Sequence, residues 1–502
     1  MQKPLNWQRL EVKSVKMAAG AGARLFAVLL FCKFVSGQIP DVTVQAFTPK
    51  GFRASIPDVP NAGLFVFQGN INRGINKNDV GTISGEVLKP TNGRWVFEDP
   101  DVVLKEGDVI NYYVFASINR NGYIKDNLSF VVTRLEDKSG VATSPVRPGG
   151  VQSIPADCKP TVTKVRGGIA CAGQTLFEDN FDTLDENVWQ IEQYIPTTHP
   201  EYPFVSYQRL GSDQILSTIG GNLQITPKLQ QDLPGFTNET IYSGVLNLFS
   251  GCTSSAESCL KMVDGADILP PVASGRITSK GFAFTYGKVY VRAKLPQGDW
   301  LYPEILLEPF LHKYGRLHYA SGVIKIATAR GNKQLYYGPN EYSNKVLYGG
   351  PIMDFVCRET LLSNKFRRDG GAWGDDFHVY ALEWTPEHIV LSVDDEEWAR
   401  VEPTASGLRG RFPASCRQLP HMLLGAGTSM APFDDHFSLT LGVAAGSITE
   451  FPDGVVSGGD RAKPWRNSAR KAMLNFWQRM DSWLPTWLLP RLLVDYVKVV
   501  AL

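Results

Sequence analysis

Short runs of β-branched and aromatic residues, cut at close intervals by glycine-bearing turns, constrain this chain more than any other feature. Leu64-Phe65-Val66-Phe67, Trp95-Val96-Phe97 and Val109-Ile110-Asn111-Tyr112-Tyr113-Val114-Phe115 are such runs. Asn92-Gly93, Glu106-Gly107-Asp108 and Asn121-Gly122 separate them as turn signals. Several strands within residues 38–137 predict an immunoglobulin-like sandwich. The rest of the chain keeps the same character, with 47 Gly, 32 Pro, 26 Phe, 18 Tyr and 11 Trp in 502 residues, which suits strands and turns. The fold class expected is all-β. One helical stretch is expected from Ala469 to Trp483, where apolar residues recur at helix-like intervals.

The N-terminus reads as a secretory address over residues 1–37. Leu25 to Val35 is apolar apart from Lys33, Lys13, Lys16 and Arg24 precede it, and Ser36-Gly37 offers small residues for cleavage before Gln38. The run is short for a membrane span. Met1 and Met17 are both available as the start. Removing the leader with Cys32 leaves six cysteines, an even number that favours disulfides in an exported chain. The pairing expected is Cys158–Cys171, Cys252–Cys259 and Cys357–Cys416, chiefly because the first two close short loops. Asn127-Leu128-Ser129 and Asn238-Glu239-Thr240 are glycosylation sequons. Lys and Arg (51) nearly balance Asp and Glu (50), which speaks against nucleic acid as a partner. Residues 138–174 are rich in Pro, Gly, Ser and Thr and read as a linker, flexible enough to let two domains engage one polymer. No Cys-x-x-Cys zinc pattern, metal site or cofactor motif stands out.

Within 38–137, the segments Pro49-Lys50-Gly51-Phe52-Arg53-Ala54-Ser55-Ile56-Pro57-Asp58, Asn92-Gly93-Arg94-Trp95, Leu104-Lys105-Glu106-Gly107-Asp108 and Gly122-Tyr123-Ile124-Lys125-Asp126-Asn127 occur in order. Together they resemble the N-terminal glucan-binding module of insect β-1,3-glucan recognition proteins, carbohydrate-binding module family 39. The resemblance implies that Trp95 stacks on a glucose ring beside Arg94, with Asp58 and Asp126 accepting hydrogen bonds from sugar hydroxyls. The alternatives are a core aromatic at Trp95 and ordinary turn chemistry at the two aspartates.

From 175 to 502 a second resemblance runs nearly unbroken. It passes through Leu176-Phe177-Glu178-Asp179-Asn180-Phe181-Asp182, Tyr286-Gly287-Lys288-Val289-Tyr290-Val291-Arg292, Gly298-Asp299-Trp300-Leu301-Tyr302-Pro303 and Gly322-Val323-Ile324-Lys325-Ile326-Ala327-Thr328-Ala329-Arg330-Gly331-Asn332. Further matches are Phe377-His378-Val379-Tyr380-Ala381-Leu382-Glu383-Trp384, Phe451-Pro452-Asp453-Gly454 and Val494-Asp495-Tyr496-Val497-Lys498-Val499. These resemble laminarinase-like enzymes, glycoside hydrolase family 16, and imply a concanavalin-like jelly roll with a sugar cleft on its concave face.

Active members of that family read Gly-Glu-Ile-Asp-Ile-x-Glu on the catalytic strand. Val323, Lys325 and Thr328 stand at the three acidic positions, and no Asp or Glu occurs from Pro309 to Asn340. A retaining glycosidase needs two carboxyl groups about 5–5.5 Å apart. A valine, an amine and an alcohol supply none, and a cation repels an oxocarbenium-like transition state. No catalytic residue is expected. Trp300, Tyr302, Trp373, His378 and Trp384 match positions near the cleft and are candidates for sugar contact, with a core role as the alternative. Glu304 and Glu308, four residues apart on one predicted strand face, are the carboxylates an unconventional endo-β-1,3-glucanase would use.

The resemblance is to invertebrate β-1,3-glucan recognition proteins, a family that includes the Gram-negative bacteria-binding proteins. It implies secretion into hemolymph and binding of curdlan- or laminarin-like glucan on microbes. It also implies recruitment of a serine protease that starts a prophenoloxidase or Toll cascade. Lipopolysaccharide, lipoteichoic acid and ligand-driven self-association remain open, as does a scaffold that binds protein only.

Overall fold

Period-two patterning becomes pairing most plainly in the strand Val109–Ile118. In the computed structural model, Ile110, Tyr112, Val114, Ala116 and Ile118 turn inward along it. The structure describes residues 39–137 apart from 78, 80 and 120, and 158–502 apart from 210–214 and 264–266. The expected leader and the part of the linker at 138–157 lie outside the described residues.

Among the described residues the N-terminal module has eight strands: β1 (Thr43–Thr48), β2 (Phe52–Pro57), β3 (Ala62–Ile71), β4 (Ile83–Val87), β5 (Arg94–Asp99), β6 (Val109–Ile118), β7 (Asn121–Val131) and β8 (Glu136–Asp137). They form two four-stranded sheets, β5-β2-β1-β8 and β4-β3-β6-β7, facing each other as a sandwich. Phe52, Phe67 and Phe97 interdigitate between them, with the Phe67 and Phe97 rings stacked at 5.4 Å. Asn92-Gly93 makes the expected tight turn: both residues have positive φ, and Thr91 and Arg94 exchange both backbone hydrogen bonds. The second Asn-Gly turn sits earlier than expected. Asn121 already pairs with Ile118, so the bend precedes it, and Asn119 has φ 51°. Gly122 serves the strand instead: a Cβ there would lie 2.7 Å from the Phe115 ring.

The second domain is a jelly roll of two large sheets. One is nine-stranded, with the path Trp189–Ile191, Arg276–Ser279, Phe437–Ala445, Leu301–Pro309, Val323–Thr328, Val346–Ile352 and Ser363–Phe366. The other is eight-stranded and runs from Leu216–Ile219 through Leu492–Val500, Gly287–Lys294 and His378–Trp384 to Glu396–Val401. Phe437–Ala445 is buried at every residue, as a central strand covered on both faces must be. The helical stretch is present as Ala472–Gln478 and Met480–Trp483. All three expected disulfides form.

The linker is shorter than its composition suggests. Cys158 and Cys171 are joined, and the strand β9 (Lys164–Val165) pairs with Phe284–Thr285 at the edge of the nine-stranded sheet. Residues 158–174 therefore belong to the jelly roll: their backbone groups find partners there, which polar composition alone does not reveal. The independently swinging module expected from that linker is also corrected, because residues 39–502 form one compact unit. Lys50 donates to Asp101 and to the Gly168 carbonyl, Glu86 pairs with Arg316 at 3.4 Å, and Leu311 packs against the module core.

Candidate functional site

The outer face of the β5-β2-β1 sheet collects the polar residues of the module. Parity decides the arrangement: Arg94, Val96 and Glu98 point outward while Trp95 and Phe97 point inward. Arg94 lies across its neighbours, donating from Nε and Nη2 to Ser55 Oγ (3.1 and 3.0 Å) and from Nη2 to Thr43 Oγ1 (3.0 Å). One row along, Arg53 is ion-paired with Glu98. Gln45, opposite Arg53 on β1, donates to Glu136 on β8. The result is a flat face of hydroxyl, guanidinium and carboxylate groups.

Trp95 does not stack on sugar from this position. It is 1% exposed and sits in the module core, which corrects the expectation drawn from the resemblance. Its indole Nε1 donates to Asp58 Oδ1 at 2.9 Å. Asp58 is exposed, and its backbone N–H bonds the Gly93 carbonyl. The ring thus holds the Asp58 carboxylate beside the Arg94 turn. Asp126 is exposed on β7, in the other sheet, and is not brought to Arg94 and Asp58. Asn127 and Asn238 are both exposed, so either sequon is sterically open.

In the jelly roll, the strand Val323–Thr328 is buried throughout. Lys325 Nζ lies 2.9 Å from Glu450 Oε2 and 3.0 Å from Glu201 Oε1. Arg358 bridges the same two carboxylates, and Arg330 lies 3.1 Å from Glu450 Oε1. Burial opposes the charge on Lys325, but Glu201 and Glu450 outweigh it and hold its pKa above the ordinary lysine value. Burial likewise opposes charge on the two glutamates, and Lys325 with its arginine neighbours holds both below the ordinary carboxylate range. Thr328 is spent on the Pro303 carbonyl. Tyr319 donates to Glu201 at 3.0 Å. What remains among Glu201, Tyr302, Leu306, Tyr319, Val323 and Lys325 is a cavity of about 10 Å³, room for one water molecule and no sugar.

Four of the five candidate cleft aromatics, all but His378, are core residues. Trp300, Tyr302 and Trp384 are essentially unexposed, and Trp384 Nε1 donates to the Phe433 carbonyl. Trp373 is 4% exposed and donates to the Lys345 carbonyl. His378 is held between Asp394 and Arg367, on the eight-stranded sheet. Burial withdraws the four indole and phenol rings from a ligand, and Trp373 packs edge-to-face with His378. Glu304 and Glu308 are not free carboxylates either. Arg276 lies between them and pairs with both, Tyr207 donates to Glu304, and Thr440 donates to Glu308. Among the described residues no group of acids, histidines and cysteines could hold a metal ion.

Sequence reading missed Glu201, Glu450 and Arg358. The available signal was Lys325 itself: a lysine on a strand of buried residues demands carboxylate partners, though its spacing does not say which.

The family model CBM39, described as a carbohydrate binding domain (family 32), matches residues 38–144. That of glycosyl hydrolases family 16 matches residues 360–435. A β-1,3-glucan-binding protein of Hyphantria cunea is 65% identical over 485 residues, covering 96% of this chain and 100% of its own. Gram-negative bacteria-binding protein 3 of Drosophila melanogaster is 32% identical, covering 93% of this chain and 95% of its own. The catalytic domain of an endo-1,3-beta-glucanase (laminarinase) from Thermotoga petrophila RKU-1 aligns over 65% of this chain and 97% of its own. Its identity is 17% and its TM-score 0.40.

Proposed function

The chain belongs to the β-1,3-glucan-binding protein family, and on that premise we propose that it is a secreted immune recognition protein that holds microbial β-1,3-glucan without cutting it. The observation that carries the non-hydrolytic part is the ion cluster around Lys325. Where the related hydrolases need an open groove and two working carboxyl groups, this chain has a lysine neutralised by Glu201 and Glu450 and about 10 Å³ of space. The pairing of both Glu304 and Glu308 with Arg276 counts against the unconventional glucanase.

Glucan binding then falls to the module. A sugar chain laid along the β5-β2-β1 face meets donors from Arg94 and acceptors from Asp58 and Glu98, groups suited to neighbouring hydroxyls. Arg94 is already fixed by Ser55 and Thr43, so little side-chain entropy is lost on binding. Asp126 would reach sugar only from the β7 side. Many modules on one particle add avidity, and the bound protein would present its jelly roll to a serine protease of an immune cascade. Lipopolysaccharide, lipoteichoic acid and ligand-driven self-association belong to the same proposal as secondary properties.

Retention on insoluble curdlan tests the binding part. Wild type is expected in the pellet, with Arg94→Ala and Asp58→Asn each shifted to the supernatant by about tenfold, the loss of one charged hydrogen bond. Equal retention of both variants would remove this face from the site. Laminarin incubated with wild type should release no reducing sugar above buffer.

A further inference from the structure

Between the module and the jelly roll lies a second cleft, of about 290 Å³. Thr82, Ser84, Asp99 and Asp101 line it from the module, and Phe310, Lys313, Asp435 and His436 from the jelly roll. Lys164 and Arg166, on and just after β9, close the seam. We propose that this cleft binds the end of a neutral saccharide chain, a site separate from the curdlan-binding face and resting on the reading of the chain as a glucan-binding protein.

Three features choose that ligand class. The first is charge: three cations (Lys164, Arg166, Lys313) share the lining with three carboxylates (Asp99, Asp101, Asp435), of which Asp101 is also paired with Lys50, so both signs are present rather than a field of one, which suits a neutral guest. The second is the hydrogen-bonding character of the lining. Thr82 and Ser84 bring hydroxyls, Lys164 and Lys313 bring donors, and Asp99, Asp101 and Asp435 bring acceptors. A polyol, donor and acceptor at each hydroxyl, can serve both kinds of group. The third is size. The volume sits at the low end of ligand pockets, about 300 Å³ upward, enough for roughly one or two pyranose rings but not for a polymer side-on. Because its walls come from both domains, an occupant would bridge them and stabilise the docked arrangement by mass action.

The test uses the full chain and laminaritriose, titrated calorimetrically, beside curdlan retention. Thr82 is exposed at the rim, so Thr82→Trp fills the cleft without removing a charge. Trisaccharide binding should weaken by about tenfold or more in Thr82→Trp, and by several-fold in Lys313→Met, as contacts are lost. Curdlan retention should stay at the wild-type level in both, which also certifies their folding. Arg94→Ala should show the converse: curdlan lost, trisaccharide kept. Two results overturn the cleft: a wild type that retains curdlan but binds no trisaccharide, and trisaccharide binding that survives Thr82→Trp but disappears in Arg94→Ala. Both leave the recognition function standing, so the two readings fail separately.

Discussion

Lys325 shows how one side chain on a strand can decide what the space beside it holds. With an acid at that position the neighbouring Glu201 and Glu450 would repel it; with a lysine they are drawn onto it, and Arg358 and Arg330 complete the cluster. Removing one partner from a buried ion cluster strands the others, at a cost of about 3–5 kcal/mol. Lys325→Met should therefore lower the urea midpoint substantially and release no reducing sugar from laminarin. The pH dependence follows from the two glutamates. Their folded pKa values lie below the unfolded value near 4.5, so below that pH the unfolded chain binds more protons. Their contribution is fully present above about 4.5 and lost as pH falls further. Urea midpoints measured through that range should drop in wild type and drop less in Glu450→Gln. Trp95 gives the converse lesson in the module. Trp95→Ala would open a core cavity worth about 3–5 kcal/mol, so any loss of curdlan binding in it reports unfolding. Trp95→Phe keeps most of the packing and removes the Asp58 bond. It should cost about 1–2 kcal/mol and weaken curdlan retention in proportion to Asp58's share.

The strand-and-turn segment around Lys325 owes its shape to the residues that follow the strand. Arg330, Gly331 and Asn332 do structural jobs. Arg330 pairs with Glu450, and Asn332 Oδ1 accepts from the Trp300 N–H, which sits on backbone with φ 68°. Gly331 exchanges backbone hydrogen bonds with Gly298 and Leu301 at so close an approach that a Cβ would lie 2.4 Å from the Gly298 carbonyl oxygen. Because that obstacle is backbone, Gly331→Ala should destabilise by about 1–3 kcal/mol, read as a lower melting temperature with no new exposed surface in the module. Such elements were legible in sequence wherever a local rule governed them. Period-two runs became β3, β5 and β6, Asn92-Gly93 became a tight turn, and short Cys spacings became disulfides. Partners far along the chain were not legible. Glu450 stands 125 residues beyond Lys325, and no local pattern reports that separation. The direction of Trp95 was legible but overridden by the resemblance. Arg94 and Glu98 share one parity and Trp95 and Phe97 the other, which by itself turns the indole inward.

For the molecule as a whole, the docking of the module on the jelly roll is the property that composition concealed, since a Pro- and Gly-rich stretch between domains suggests independence. The contact has a weak point in Glu86, on β4. Its carboxylate lies 3.4 Å from Arg316 Nε, yet Oε2 has no hydrogen bond. Burial raises its pKa from 4.5 to about 7 against the attraction of Arg316, and burial lowers the pKa of Arg316 in turn. Asp99, across the seam from Asp435 and His436, is raised as well, again by burial first and then by Asp101 and Asp435. A carboxyl whose pKa is raised in the docked state binds its proton more tightly there than when released. Its contribution to docking is therefore complete below about 4.5, where both states carry the proton, and is lost as pH rises through about 7. The Glu86 shift corresponds to roughly 3 kcal/mol at most. Small-angle scattering and hydrogen exchange on β4 should report a more compact chain with better-protected amides at about pH 5 than at about pH 8, and Glu86→Gln should flatten the difference. If compactness instead increased with pH in wild type, attraction to Arg316 would outweigh burial and docking would be strongest with Glu86 ionised. With the expected sign, mildly acid surroundings hold the module against the jelly roll and neutral fluid loosens it. The module–jelly-roll seam is then the part of the molecule that responds to its surroundings, while the Lys325 cluster stays ionised and closed across the same range.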